Sequence, residues 1–372
     1  MERLLPTYAR APVTIVRGEG TRVWDAEGRE YLDFGGGIAV VGLGHLHPAP
    51  LAAAQAQLDR LWHASNLYWT EPQVELATLL SERFGGARAF FCNSGAEAVE
   101  AALKYARKAT GKPGILALEG GFHGRTLGAL SATGQPGKRD PFAPLLPGVR
   151  FVPPNDVAAL QAAMHDDVGL VLLEPILGEG GVIPLASEFL AAARELDALL
   201  CLDEIQCGVG RTGTFFAFEQ AGVRPDLVTL AKALGNGLPI GALLVADEVA
   251  DAFAPGDHGS TFGGNPVACA AACAVVEAID DDLLARVRAH GATLVAELAT
   301  LPGVEEVRGR GLLLGAVLER SAAEVVDACR ERGLLVLSAG ERVLRLAPPL
   351  TVEASELEEA VAVLADVLSA NA

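Results

Sequence analysis

The stretch Leu230-Ala231-Lys232-Ala233-Leu234-Gly235 sets one lysine among apolar residues at the end of a strand candidate, residues 227–230. Lysine is scarce in this chain, and only Lys232 follows residue 138. An apolar environment disfavours the ammonium form, so we expect the pKa of Lys232 to fall and its neutral amine to form a Schiff base with an aldehyde. The alternative is a surface lysine whose stem packs on apolar neighbours.

Short apolar runs alternate with helical patterns on both sides of this stretch. The predicted strands are 89–92, 115–118, 149–152, 169–173, 199–202, 227–230 and 242–245. The predicted helices between them include 96–109 and 188–197, the second with Ser187 as its N-terminal cap. This alternation is typical of a mostly parallel sheet covered by helices and predicts an α/β fold.

The pattern changes after Gly259. Asn265-Pro266 signals a helix that runs to about Ile279. A helix near 283–300, strands at 312–318, 334–337 and 343–346, and a helix from Ser355 then predict a small α+β domain. Short strands at 13–16 and 21–25 predict an N-terminal hairpin. We therefore expect an N-terminal segment, 1–40, that packs with the small domain, a large domain, 41–265, and a linking helix with the small C-terminal domain, 266–372.

The composition excludes several classes of protein. The chain has 29 Lys and Arg against 47 Asp and Glu, a net charge of −18, which argues against nucleic acid or an anionic membrane as a partner. The first residues lack the basic-then-apolar pattern of a targeting signal, so we expect a cytoplasmic protein. The six cysteines form no CxxC pair and the histidines have no third ligand at a suitable spacing, so we expect neither a disulfide framework nor a metal site.

One motif suggests a nicotinamide cofactor and has to be weighed. Gly208-Val209-Gly210-Arg211-Thr212-Gly213 is a literal GxGxxG. In a dinucleotide fold these glycines lie directly between a strand and a helix, whereas here five residues separate them from the strand candidate 199–202 and Thr214-Phe215-Phe216 follows. We interpret the motif as a glycine-rich loop, and the nicotinamide oxidoreductase becomes the weaker hypothesis.

Two further features give Lys232 a chemical context. Asn93-Ser94-Gly95-Ala96 joins a strand candidate to a helix, so free backbone N–H groups would point at one spot, which suits a phosphate. The plain alternative is an ordinary helix cap. Asp203 ends the apolar run 199–202 and precedes the lysine in the chain. A phosphate cradle, a strand-end aspartate and an apolar lysine in this order are what a pyridoxal-phosphate enzyme requires.

The residues resemble the class III (ω-amino acid) aminotransferases of pyridoxal-phosphate fold type I over nearly the whole chain, and in particular the members that act on N-acetylornithine. The segments that carry the resemblance are Asn93-Ser94-Gly95-Ala96-Glu97-Ala98, Phe122-His123-Gly124-Arg125-Thr126, Glu174-Pro175-Ile176-Leu177-Gly178-Glu179-Gly180-Gly181, Asp203-Glu204-Ile205-Gln206, Lys232, and Gly259-Ser260-Thr261-Phe262-Gly263-Gly264-Asn265-Pro266. The resemblance implies pyridoxal 5'-phosphate as the cofactor and a large domain with a mostly parallel central sheet plus a smaller α+β C-terminal domain.

The resemblance also implies roles for the cofactor-binding residues. Lys232 would hold the aldehyde of the cofactor and act as the general base, and Asp203 would pair with the ring nitrogen. The remaining residues implied to contact the cofactor are Ser94, Gly95 and Ala96 at the phosphate, Phe122 stacked on the ring, His123 beside it, Gln206 near the phenolic oxygen, and Thr261, which would reach the phosphate of the neighbouring subunit. A homodimer with shared active sites follows from that last role.

Substrate recognition is implied at four further positions. Arg125 would bind the α-carboxylate of N-acetylornithine, and Arg345 would bind the carboxylate of 2-oxoglutarate beside the reacting carbon. Glu179 would neutralise Arg345 until 2-oxoglutarate arrives, and Ser260 belongs to the segment that includes Thr261. The expected reaction is ping-pong amino transfer between a small-molecule amino donor and 2-oxoglutarate. Ornithine, succinylornithine, 4-aminobutyrate and carrier-linked lysine remain alternative donors.

Overall fold

The computed structural model describes residues 3–370. Its strands are β1 (Ile15–Glu19), β2 (Arg22–Asp25), β3 (Glu30–Asp33), β4 (Ala87–Cys92), β5 (Gly114–Leu118), β6 (Val149–Val152), β7 (Val168–Leu173), β8 (Ile176–Leu177), β9 (Ile183–Pro184), β10 (Leu199–Asp203), β11 (Leu227–Leu230), β12 (Gly241–Ala246), β13 (Val304–Arg310), β14 (Leu313–Leu318), β15 (Leu334–Leu335), β16 (Leu337–Ser338) and β17 (Val343–Leu346).

Helices surround these strands. They are α1 (Gly36–Ala39), α2 (Pro48–Leu58), α3 (Glu71–Phe84), α4 (Gly95–Thr110), α5 (Leu127–Ser131), α6 (Pro136–Arg139), α7 (Val157–Ala162), α8 (Ser187–Arg194), α9 (Pro266–Ala278), α10 (Asp281–Leu298), α11 (Ala322–Glu331) and α12 (Ala354–Ser369). Within residues 3–370 we find no helix with the length and apolar character that crossing a membrane requires.

A seven-stranded sheet forms the centre of the large domain, in the order β4-β12-β11-β10-β7-β5-β6. Only β12 runs antiparallel to its neighbours, β4 and β11, and the other pairs are parallel. The predicted mostly parallel α/β sheet is therefore confirmed. Because β4, β10 and β11 point the same way, their carboxyl ends lie at one edge of the sheet, where ligands bind in open α/β folds.

Two smaller sheets flank the centre. In the smaller C-terminal domain, β13-β14-β17-β16 is antiparallel. In the other sheet, β1, β2 and β3 continue into β15 of the C-terminal region, because Leu32 pairs with Leu334 in parallel register. The backbone N–H of Ala347 also donates to the carbonyl of Phe34. Backbone pairing thus ties the N-terminal strands to the C-terminal region, while the three domain boundaries stay a prediction.

The seven predicted strands of the central sheet are all present, with ends that differ by at most two residues. The helix predicted from Asn265-Pro266 is also present, since the Asn265 side chain accepts hydrogen bonds from the N–H groups of Val267 and Ala268. Two details were wrong. Ser187 is the first helical residue of α8 and caps nothing, and α8 ends at Arg194, because the chain must turn before Leu199 pairs with β7. The single strand predicted at 334–337 is two, since β15 pairs with β3 and β16 with β17.

Candidate active site

A cavity of about 430 Å³ opens at the carboxyl edge of the central sheet. It lies where β4, β10 and β11 end, so three separate strands deliver side chains to it. The residues predicted for the site that line it are Ser94, Gly95, Ala96, Phe122, His123, Arg125, Asp203, Gln206 and Lys232. The structure therefore brings together most of the residues that the sequence singled out.

The turn from β4 into α4 forms one wall of the cavity. Ser94 is the N-terminal cap of α4, and its Oγ accepts a hydrogen bond from the N–H of Glu97 at 3.3 Å. Among residues 3–370, no hydrogen bond engages the N–H groups of Gly95 and Ala96 in the first turn. Free N–H groups at the positive end of a 16-residue helix suit an anion such as a phosphate group.

Asp203 provides a fixed carboxylate on the cavity wall at the end of β10. Its Oδ2 lies 2.6 Å from Nδ1 of His123, and its Oδ1 accepts hydrogen bonds from Thr229 Oγ1 at 3.0 Å and the N–H of Ile205 at 3.2 Å. Burial lowers the pKa of His123, but the adjacent Asp203 outweighs it and raises the pKa above its usual value. Asp203 is therefore a rigid, buried carboxylate that suits a protonated ring nitrogen.

Lys232 follows β11 directly and reaches the same cavity. Burial lowers the pKa of its amine, Glu179 opposes that effect, and the positive charge of Arg345 lowers the pKa further. Lys232 also has φ +44°, a left-handed backbone conformation that residues other than glycine seldom adopt and that costs about 1–3 kcal/mol. A lysine with a depressed pKa, held in a strained backbone beside Asp203, can act as a nucleophile and as a base.

Arg345 on β17 belongs to a buried polar cluster next to the cavity. Its Nη1 donates to Glu179 Oε1 at 2.5 Å, to Gln206 Oε1 at 2.9 Å and to the Gly178 carbonyl at 3.0 Å. Its Nε is buried and has no partner among the described residues. Burial raises the pKa of Glu179, but Arg345 outweighs burial and lowers it. The guanidinium therefore keeps one donor edge available for a second carboxylate.

Phe122 and Arg125 lie in the loop between β5 and α5. The N–H of Phe122 donates to Glu174 Oε1 at 2.7 Å, which fixes the backbone beside the cavity. The guanidinium carbon of Arg125 lies 5.5 Å from the centre of the Phe122 ring, and the Arg125 side chain is exposed with no ion-pair partner within residues 3–370. Arg125 is thus an available cation on the cavity wall.

Three predicted residues have contacts that differ from their implied roles or lie outside the cavity wall. Gln206 lines the cavity, but its amide is bound to Arg345 and, at 3.3 Å, to Glu179. Ser260 Oγ accepts hydrogen bonds from Asn93 Nδ2 at 3.2 Å and the N–H of Gly263 at 3.0 Å, outside the cavity wall. Thr261 is exposed and also lies outside this wall. The role implied for Thr261 places it at a neighbouring subunit's cavity and stays a prediction.

Sequence reasoning gave no role to Glu174, which lines the cavity. Burial raises the pKa of its carboxyl to about 7, and the negative charge of Asp203 adds to this while His123 opposes it. Its Oε2 also accepts a hydrogen bond from the N–H of Gly178 at 3.1 Å. Asp203 was selected because it is a carboxylate at the end of a strand. Glu174 directly follows β7, so the same reasoning could have selected it.

The fold and this cavity define a pyridoxal-phosphate enzyme with a carboxylate and a lysine at the carboxyl edge of its sheet. The family model "Aminotransferase class-III" matches residues 6–368, and the chain belongs to that family. It is 51% identical to the acetylornithine aminotransferase of Methanopyrus kandleri, over 98% of this chain and 96% of that protein. It is likewise 51% identical to the acetylornithine aminotransferase of Mycolicibacterium smegmatis, over 99% and 97%.

Solved structures give the same result. The ornithine aminotransferase of Toxoplasma gondii, a structure that describes pyridoxal phosphate at the active site, superposes with a TM-score of 0.94 at 35% identity, over 99% of this chain and 92% of that one. The N-acetylornithine aminotransferase of Stenotrophomonas maltophilia superposes with a TM-score of 0.86 at 41% identity, over 98% and 97%. Class III aminotransferases depend on pyridoxal phosphate, and the free N–H groups of the cradle, Asp203 and Lys232 fit that cofactor.

Proposed function

We propose that this protein transfers the terminal amino group of N-acetylornithine to 2-oxoglutarate, which gives N-acetylglutamate semialdehyde and glutamate. The observation that carries the proposal is the presence of two arginines near Lys232. Arg125 has no ion-pair partner among the described residues, and Arg345 is bound to Glu179. Amino transfer between an amine that carries a remote carboxylate and a dicarboxylic keto acid needs such a pair. The near-complete coverage of acetylornithine aminotransferases at 46–51% identity supports this donor.

The residues of this chain divide the work of the reaction. Bound pyridoxal phosphate supplies an electron sink for the carbanion that forms next to the substrate nitrogen. Asp203, fixed by His123 and Thr229, keeps a proton on the ring nitrogen. Lys232 would hold the aldehyde of the cofactor and, as a general base, would take the proton from the substrate carbon. The free N–H groups of Gly95 and Ala96 hold the phosphate.

The Glu179–Arg345 pair lets one pocket accept two different substrates. N-acetylornithine reacts through a terminal amine with no carboxylate beside it, so Glu179 neutralises Arg345 during that half-reaction. 2-Oxoglutarate has a carboxylate beside the reacting carbon, which takes the place of Glu179 on the guanidinium. Kinetics should therefore be ping-pong. This reaction belongs to arginine biosynthesis, and we expect it in the cytoplasm.

We also propose a homodimer with shared active sites. Large apolar side chains are exposed around the segment that contains Thr261, and they are Leu61, Trp62, Leu67, Tyr68, Trp69 and Phe262. A cluster of this size on one surface is typical of a protein–protein interface. Light scattering should give twice the monomer mass, and Trp69→Glu should lower the mass and the cofactor affinity together. A wild-type monomer that turns over at a full rate would contradict the shared site.

The visible spectrum of the purified holoenzyme tests the donor. N-acetylornithine should bleach the yellow absorption band of the lysine-bound cofactor, and 2-oxoglutarate should restore it. Lys232→Ala should lose turnover. If the band responds to 4-aminobutyrate or ornithine but not to N-acetylornithine, the proposed donor is wrong. A Lys232→Ala variant with wild-type turnover would overturn the assignment of the active site.

A further inference from the structure

The five lysines of this chain divide into two groups by their partners. Three of them bind surface groups on other segments: Lys104 the carbonyl of Asp257, Lys108 the carboxylate of Asp257, and Lys112 the carboxylate of Asp197. The side-chain amines of Lys138 and Lys232 make no ion pair or hydrogen bond within residues 3–370. Lys232 belongs to the active site, so Lys138 is the lysine whose amine has neither a hydrogen-bond or ion-pair partner nor an assigned role.

Lys138 lies beside the active-site cavity. It belongs to the short helix α6, and its Nζ lies 5.0 Å from the centre of the Phe122 ring. The Arg125 guanidinium carbon lies 5.5 Å from the same centre. The two cations are therefore no farther apart than the sum of these distances, and both lie beside the same aromatic ring of the cavity wall.

The electrostatics around Lys138 favour an incoming anion. Burial lowers the pKa of its amine, and the positive charges of Arg125 and Arg345 lower it further, against the attraction of Glu179 and Glu174. Glu179 is already bound to Arg345. Lys138 is half-buried and Arg125 is exposed, and two cations beside one aromatic ring with no carboxylate partner repel each other until an anion reaches them. A substrate carboxylate is the anion that the proposed reaction brings to this wall.

We propose that Lys138 acts with Arg125 to bind the substrate carboxylate that is remote from the reacting carbon. This inference rests on the proposed function and deepens it, because both substrates have such a carboxylate: the α-carboxylate of N-acetylornithine and the distal carboxylate of 2-oxoglutarate. Arg125 supplies the planar guanidinium fork and Lys138 a point charge. Lys138 is thus a specificity residue, which selects carboxylate-bearing amines over neutral ones.

The test compares two donors that differ only in that carboxylate. N-acetylputrescine is N-acetylornithine without its α-carboxylate. Lys138→Met keeps an unbranched side chain that is one atom shorter and removes the charge. It should lower the ratio of kcat/KM for N-acetylornithine to kcat/KM for N-acetylputrescine by about tenfold. The loss should lie in KM, and Lys138→Arg should restore most of the ratio.

The adjacent residue provides a matched control. Arg139 also lies on α6, but it pairs with Asp140 at 3.2 Å and stacks 4.5 Å from the Phe151 ring. Arg139→Met should leave the donor ratio as in the wild type. An unchanged ratio in Lys138→Met, or an equal loss in both variants, would overturn the inference.

A binding measurement separates this inference from the proposed donor. Calorimetric titration of the holoenzyme with glutarate, a dicarboxylate that cannot react, should give a dissociation constant about tenfold weaker in Lys138→Met, with cofactor affinity unchanged. If the wild type does not turn over N-acetylornithine but Lys138→Met still binds glutarate more weakly, the proposed donor is wrong and the carboxylate site is supported. A variant that loses cofactor affinity and keeps glutarate would instead assign Lys138 to the cofactor phosphate and overturn the inference.

Discussion

Replacing Glu179 by glutamine should slow one half-reaction and spare the other. The carboxylate of Glu179 neutralises Arg345 across 2.5 Å, and Arg345 is only 2% exposed. In Glu179→Gln the amide oxygen can still accept a hydrogen bond from Nη1, but the negative charge is gone. The guanidinium is then an uncompensated buried cation whenever the donor amine occupies the pocket. 2-Oxoglutarate, in contrast, no longer has to displace a carboxylate.

The magnitude follows from the burial of the two partners. Breaking a fully buried pair costs about 3–5 kcal/mol, but the side chain of Glu179 is 22% exposed, so water screens part of the loss. A charge-assisted hydrogen bond contributes about 1.5–3 kcal/mol and a neutral one about 1 kcal/mol. The difference, about 0.5–2 kcal/mol, predicts a loss of about 2- to 30-fold in kcat/KM for N-acetylornithine. The kcat/KM for 2-oxoglutarate should stay unchanged or rise.

Single-turnover stopped-flow absorbance on the loaded enzyme measures the two half-reactions separately. Glu305→Gln is a matched control, because Glu305 pairs with Arg342 at 2.5 Å in the same domain, but both side chains are about half exposed. Such a surface pair contributes little, so this variant should leave both rates unchanged. If Glu179→Gln slows both half-reactions by the same factor, or slows 2-oxoglutarate more, the neutralising role of Glu179 is refuted.

Three further predictions follow from other contacts. Burial raises the pKa of Glu204 from 4.5 to about 8, so between these pH values the folded state holds a proton that the unfolded state has lost. The free energy of unfolding should therefore fall as pH rises from about 4.5 to about 8. Urea unfolding across that range should show a smaller fall in Glu204→Gln than in the wild type, and equal falls would refute this prediction. A methyl group on Gly241 would lie 2.4 Å from the carbonyl oxygen of Ser94, so Gly241→Ala should displace the turn from β4 into α4. This variant should bind the cofactor about tenfold more weakly in a dialysis assay. Gly137→Ala, whose methyl group meets open space, should bind it as the wild type does. Asn265→Ala removes the cap of α9 and should cost about 1 kcal/mol in urea unfolding, and no change would contradict that role.

The strand positions of the central sheet were predictable because each buried strand is a short, continuous apolar run. Parallel strands buried on both faces show no alternation, so the run itself marks the strand, as it does for β5 and β7. Strand ends then located Asp203 and Lys232. The antiparallel direction of β12 was not predictable, since its sequence has the same apolar character as its parallel neighbours.

Contacts between distant segments limited the rest of the prediction. The split of 334–337 between two sheets depends on β3, which lies about 300 residues earlier in the chain. Gln206 was assigned from local sequence, yet the hydrogen bonds of its amide are made with Glu179 and Arg345 from two other elements. No local pattern contains these pairings, because each of them joins residues that lie far apart in the sequence.

The cofactor half and the substrate half of the site therefore differ in how far sequence can specify them. Asp203, Lys232 and the Ser94 turn are each fixed by the end of one strand, so a strand prediction suffices to place them. Arg345 and Lys138 lie beside the cavity, on a strand of the smaller domain and on a four-residue helix, and their chemistry depends on which carboxylates they contact. Glu179 is bound to Arg345 and makes no ion pair with Lys138, so Lys138 and Arg125 are both available to a substrate carboxylate. Donor selectivity should accordingly respond to substitutions at Lys138 that leave the cofactor spectrum unchanged.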